Sequence, residues 1–201
     1  MTFESPLRLR LSGSRGQRYA AVVTARRSLG GALAGGLAAV AWAAQQPLDK
    51  RAFGSPFDDV ELLGKLFTRG RSWPLAGTLL HVQNGMLFGL AYAEVRPLLR
   101  GPSLARGLTA GMAEHLLSWP LVRLVDRLHP ARRELPALWG NHRAFLQATW
   151  RHLLFGALLG ELERRLNPRS GPPGQVPASS NGHGDLERAS PERVEPRTAA
   201  R

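Results

Sequence analysis

The chain has 201 residues, with 27 Lys and Arg against 15 Asp and Glu, for a net charge of +12. It contains no cysteine, which excludes a disulfide scaffold, a cysteine zinc site, an iron–sulfur centre and a thiol nucleophile. A hydrophobic fraction of 43% excludes wholesale disorder.

Residues 1–27 carry six arginines against Glu4 and read as a basic, loosely ordered segment. Ser28–Leu48 follows, 21 residues without a charge. It is rich in Ala and Gly, with Gly31 and Gly35 at the small-xxx-small spacing that lets helix backbones approach closely. A bilayer core of ~30 Å needs about 20 helical residues, so the run is read as a first membrane span. In the next connection, Ser55-Pro56 before Asp58, Asp59 and Glu61 reads as the capped start of a short amphipathic helix. The acids suit the positive end of its dipole; they could also bind a cation.

Ser72–Ala93 is a second uncharged run, 22 residues long, with His81, Gln83 and Asn84 at its middle and Phe88-Gly89 beyond them. Weaker apolar stretches cover 104–125, interrupted by Glu114, and 144–162, interrupted by Arg151. Trp73, Tyr92, Trp119 and Trp139 fall near the ends of these stretches, where amphipathic rings favour a membrane interface. Residues 167–201 contain six prolines and few aliphatic residues and read as a disordered tail. The expected fold class is therefore all-α: an integral-membrane four-helix bundle of two helical hairpins, with spans at about 28–48, 72–93, 104–125 and 144–162. It includes one short interfacial helix and disordered tails. Lys and Arg are balanced on the two sides, and the basic N-terminal segment favours cytoplasmic termini in an inner (plasma) membrane.

Six residues form a candidate polar cluster at mid-span: His81, Asn84, Glu114, His115, Arg151 and His152. Polar groups at that depth face a bundle interior. Glu114 and Arg151 fall at matching depth on neighbouring helices and are expected to pair. Three helices bring one histidine each, which suits interhelical hydrogen bonding, proton transfer or metal binding. No two ligand-type residues have the helical spacing of a metal signature, so no metal or cofactor is assigned. No phosphate loop or nucleophile elbow occurs in a strand–turn–helix context, and the chain is read as non-catalytic.

Phe88-Gly89…Glu94 recurs as Phe155-Gly156…Glu161, and Gly31…Gly35 recurs as Gly107…Gly111, which hints at an internal duplication. A small-residue first helix, an uncharged second helix with a central histidine and a Phe-Gly pair, and the hairpin repeat resemble the small uncharacterised bacterial inner-membrane proteins of the YagU type. The resemblance covers about residues 28–165. It implies a multi-pass membrane protein and carries over no catalytic residue. The partners expected are the lipid bilayer and, through the GxxxG faces, a second copy or another membrane protein. Nucleic acid is not expected, because the arginines flank apolar blocks and form no single stripe. Two alternatives remain open: a small transporter or proton- or metal-handling membrane protein built on the polar cluster, and a soluble basic helical bundle.

Overall fold

The computed structural model describes residues 6–168, and the tail from residue 169 lies outside them. Six α-helices occur in these residues: α1 (Pro6–Phe53), α2 (Asp59–Phe67), α3 (Trp73–Val95), α4 (Ser103–Ser118), α5 (Val122–Leu128) and α6 (His142–Leu166). Helix α1 therefore continues back through the basic N-terminal segment as far as Pro6. It packs along α3 and α6, while α4 packs along α6 and α2 lies on α3.

Local chemistry accounts for the boundaries. Helix α1 closes at Gly54, whose φ of +57° is the left-handed conformation that glycine adopts without a Cβ penalty. The Ser55 amide then reaches back to the Lys50 carbonyl at 3.2 Å. Asp58 caps α2 by accepting from the Glu61 amide at 2.9 Å, so the helix starts three residues later than the Ser55-Pro56 cap predicts. Asn141 caps α6 in the same way, accepting from the Ala144 amide at 3.1 Å. Between α4 and α5, Trp119–Leu121 forms a 3-10 turn. Pro120 has no amide hydrogen to continue the α-helical ladder.

No helix among the described residues is long and apolar enough to cross a membrane. The expectation of a four-span integral-membrane bundle is thereby corrected. A run without charges is not thereby apolar: 72–93 contains Thr78, His81, Gln83, Asn84 and three glycines. The stretch 104–125 is broken at Trp119, and α4 alone, at 16 residues, reaches only ~24 Å. The bilayer as partner, the inner-membrane location and the cytoplasmic placement of both termini rested on those spans and fall with them.

The small residues bring helix backbones together as their spacing predicts, but between helices of the same chain. Gly31 and Gly35 of α1 lie against the carbonyls of Gly89 and Gly85 of α3, and Gly107 of α4 lies against the carbonyl of Gly156 of α6. A Cβ at any of these positions would overlap backbone. The GxxxG faces expected to bind a second copy or a membrane partner are thus buried within the chain. The duplication hinted at by the sequence has a structural counterpart, since α1–α3 and α4–α6 are both glycine-mediated pairs with a short helix between their members. The pairs meet where Phe88 and Phe155 stand edge to face, 5.5 Å between ring centroids. Because glycine and alanine hold the interfaces, bulky residues such as Leu33, Leu37, Leu79 and Leu87 are left on the outer faces.

At the far end of the bundle, buried Glu163 accepts from Arg96 at 2.6 Å and from Asn167 at 3.1 Å. Asn167 also donates to the Arg27 carbonyl at 2.8 Å. This network ties the ends of α3 and α6 to α1.

Replacing Gly35 by alanine should lower stability by about 1–3 kcal/mol, because the added methyl meets rigid backbone. A Cβ at Gly36 would meet side chains alone, Met86 and Val82, and no backbone. There the alanine gains helix propensity of ~1 kcal/mol, so Gly36→Ala should be near neutral. Urea unfolding of the two variants checks the contrast.

Candidate functional site

Arg151 is fully buried on α6, one turn after Gln147. Its Nε and Nη2 donate to the two oxygens of Asp49, at 2.6 and 2.7 Å, in a bidentate fork. Nη1 donates to Asp59 Oδ2 at 2.6 Å, and Nη2 also reaches the Phe57 carbonyl at 3.0 Å. Asp49 further accepts from Gln147 at 2.7 Å and from Gln45 at 2.5 Å. Trp42 Nε1 donates to Asp59 Oδ2 at 3.0 Å. Burial works against the Asp49 charge, but the donors from Arg151, Gln147 and Gln45 outweigh it and hold the carboxyl below its ordinary 3.8. One guanidinium thus joins the C-terminal end of α1, the loop at Phe57 and the start of α2 to α6.

The expected Glu114–Arg151 pair does not form. Glu114 Oε2 instead meets His152 Nε2 at 2.6 Å. His152 Nδ1 lies 2.7 Å from the Ala148 carbonyl, which can only accept, so Nδ1 carries a proton. The contact at Nε2 then holds one further proton between imidazole and carboxylate. Burial pushes the Glu114 carboxyl up, but the His152 contact outweighs it and leaves the pKa lowered.

His115 stands beside this pair, its ring 4.6 Å from that of His152. The Thr149 hydroxyl donates to the Phe145 carbonyl at 2.9 Å, so its oxygen accepts from His115 Nε2, also at 2.9 Å. That assignment leaves Nδ1 of His115 as a bare lone pair, buried and without a partner. Burial, with the neighbouring His152, pushes the His115 pKa down to about 4. His81 is also buried, its Nε2 has no partner, and burial lowers its pKa. Trp42 links the two sides, with ring centroids 5.3 Å from His81 and 4.7 Å from His152.

These groups surround a cavity of about 410 Å³ that reaches the surface beside Asn84 and Leu121. Of the six residues singled out in the sequence, His81, Asn84, Glu114, His115 and His152 line it, while Arg151 lies behind Asp59. Trp42, Phe57, Phe88, Trp119 and Phe155 supply aromatic walls. Among the described residues there is no group of three His, Cys, Asp or Glu side chains that could hold a metal ion. His81 and His152 meet Trp42 edge to face, and the His115 ring is tilted by 32° against that of His152.

Sequence reasoning missed Asp49, Trp42, Gln147 and the role of Asp59. Asp49 lies one residue past the end of the first uncharged run, and Asp59 reads as a helix-dipole partner. The available signal was the i, i+4 spacing of Gln147 and Arg151, which puts two donors on one face of α6 and demands an acceptor from elsewhere. His129, given no role in the sequence, is a structural residue. Its Nδ1 accepts from the Ala131 amide at 3.1 Å, and its Nε2 donates to the Leu62 carbonyl at 3.0 Å.

Arg151→Met leaves Asp49 and Asp59 without their cation and should cost about 3–5 kcal/mol. Adding Asp49→Leu should recover part of that loss. Glu114→Gln and Arg151→Met should instead add within ~0.5 kcal/mol, since the two side chains share no partner. Double-mutant cycles from chemical unfolding measure both couplings.

Below its ordinary value of 6.5, the unfolded chain takes up a proton at His115 that the folded chain refuses until about pH 4. The contribution is complete above pH 6.5 and is lost as the pH falls toward 4. The expected loss is on the order of 2–3 kcal/mol. His115→Gln keeps a donor toward Thr149 and should remove this part of the slope, while His81 retains its own. Unfolding midpoints at pH 7 and 4.5 test it. Asp49, held below 3.8, loses its contribution only at still lower pH.

No family model matches the sequence, and neither a curated protein nor a solved structure matches it, so the resemblance to the YagU-type membrane proteins is not supported.

Proposed function

We propose that this protein is a helical-bundle binding protein that takes a small, mainly apolar molecule into its central cavity without transforming it. The observation that carries the reading is the cavity itself. At about 410 Å³ it falls within the ~300–1,000 Å³ of small-molecule sites, and it has their make-up of apolar and aromatic walls with a few convergent polar groups. His81 Nε2 and His115 Nδ1 are buried polar atoms without partners among the described residues.

Binding without turnover is supported by the way the nearby hydroxyls are committed. Thr149 donates to the Phe145 carbonyl at 2.9 Å, and Ser118 donates to the His115 carbonyl at 3.3 Å. Neither hydroxyl hydrogen points to an imidazole lone pair, and Ser118 also lies within hydrogen-bonding reach of Glu114. Glu114 is paired with His152, whose Nδ1 is turned to backbone.

A neutral, environment-sensitive naphthalene probe should bind saturably, with one site per chain, and should change the fluorescence of Trp42 and Trp119 in the cavity wall. Asn84 is exposed at the mouth, so Asn84→Trp should leave the melting transition unchanged and weaken the probe at least tenfold. Titration by fluorescence and calorimetry measures this. An unchanged affinity in the variant, or no saturable binding by the parent chain, would remove the cavity as a binding site.

A further inference from the structure

The charge around the cavity narrows the class of molecule it takes. The chain carries 27 Lys and Arg, yet the cavity lining contains none of them. It contains two carboxylates, Asp59 and Glu114. Glu114 is paired with His152 at 2.6 Å. Asp59 is not fully neutralised. Arg151 serves Asp49 and Asp59 together, and Lys50 pairs with Asp58. Three carboxylates therefore share two cations, and one negative charge is left over. The Arg151 and Trp42 donors both go to Asp59 Oδ2, so Oδ1 is the oxygen that they leave for another donor.

Trp42 and Phe57 stand close to Asp59, the first by its hydrogen bond and the second through the Arg151 guanidinium that lies 5.3 Å from its ring. Both rings belong to the apolar wall against which the body of a guest would pack. An anionic head would meet an excess carboxylate with no Lys or Arg in the lining to receive it. Burying such a charge unpaired is costly.

We propose that the cavity selects a monocationic amphiphile, an aliphatic or aromatic body ending in a protonated amine, with the ammonium received at Asp59 and the body packed between the aromatic walls. The proposal rests on the cavity being a binding site.

The test is a series of three probes with one body: 4-phenylbutylamine, 4-phenylbutanol and 4-phenylbutyrate, titrated at pH 7 against the full chain by Trp fluorescence and calorimetry. The amine should bind at least tenfold more tightly than the alcohol, and the carboxylate more weakly than either. Asp59→Asn should erase most of the amine's advantage and leave the alcohol unchanged. Because Asp59 also holds Arg151, that variant could unfold. Asn84→Asp, at the exposed mouth, provides a second reading and should strengthen the amine and weaken the carboxylate. Equal affinities across the series, a preference for the carboxylate, or an amine preference indifferent to Asp59→Asn in a folded variant and to Asn84→Asp each overturn the proposal. If the alcohol binds and only the preference is missing, the cavity remains a binding site for a neutral molecule. If no probe in the series binds, and the neutral naphthalene probe does not bind either, both readings fail.

Discussion

The Arg151 side chain is the constraint around which the rest of this bundle is arranged. A fully buried guanidinium must find acceptors for its fixed fork of donors, because leaving them bare costs several kcal/mol. Here the acceptors come from three other parts of the chain: Asp49 near the end of α1, the Phe57 carbonyl in the following loop, and Asp59 at the start of α2. Satisfying them sets where α1 ends relative to α6 and draws the α1–α2 connection across the bundle. Asp59, held by that contact, becomes part of the cavity wall. The polarity of the cavity is thus a by-product of neutralising one arginine with more carboxylate than it needs.

A second constraint is the absence of side chains where helices cross. The α1–α3 and α4–α6 pairs approach closely enough that glycine faces the opposing carbonyl. Such contacts gain dispersion energy over a short interhelical distance, but they bury little apolar surface per residue. The aromatic residues gather where the two pairs meet. Trp42, Phe88 and Phe155 fill the centre, and His81 and His152 meet Trp42 edge to face. Tight pairs with a wider gap between them leave room for a cavity that a uniformly packed bundle would close.

The three central histidines show how environment separates identical side chains. His152 has acceptors on both nitrogens and a carboxylate partner. His115, 4.6 Å away, has a hydroxyl on one nitrogen and nothing on the other, and burial resists its protonation. His81, across Trp42, is likewise buried with a bare nitrogen. One histidine therefore serves structure, and two keep unused hydrogen-bonding capacity beside an empty volume. That division is set by second partners more than by residue type.

Several features follow from the residue order alone. The helical nature of the chain, the close-packing role of Gly31, Gly35, Gly107 and Gly111, the paired Phe-Gly units and the common depth of His81, His115 and His152 are all periodic properties that a linear pattern carries. Five of the six polar residues chosen by depth line one cavity, with Asn84 at its exposed mouth. Other features depended on the tertiary structure. A run without charge has the length of a span, but whether it has the hydropathy depends on its glycines and polar residues, and no described helix is long and apolar enough to cross a membrane. Which carboxylate neutralises Arg151 was decided 92 and 102 residues away in the chain, by the path of the α1–α2 loop. Depth placed Glu114 opposite Arg151, but rotation about the helix axis gave Glu114 to His152. Helical periodicity fixes the height of a residue and its own face; the face presented by its neighbour is settled only when the helices pack.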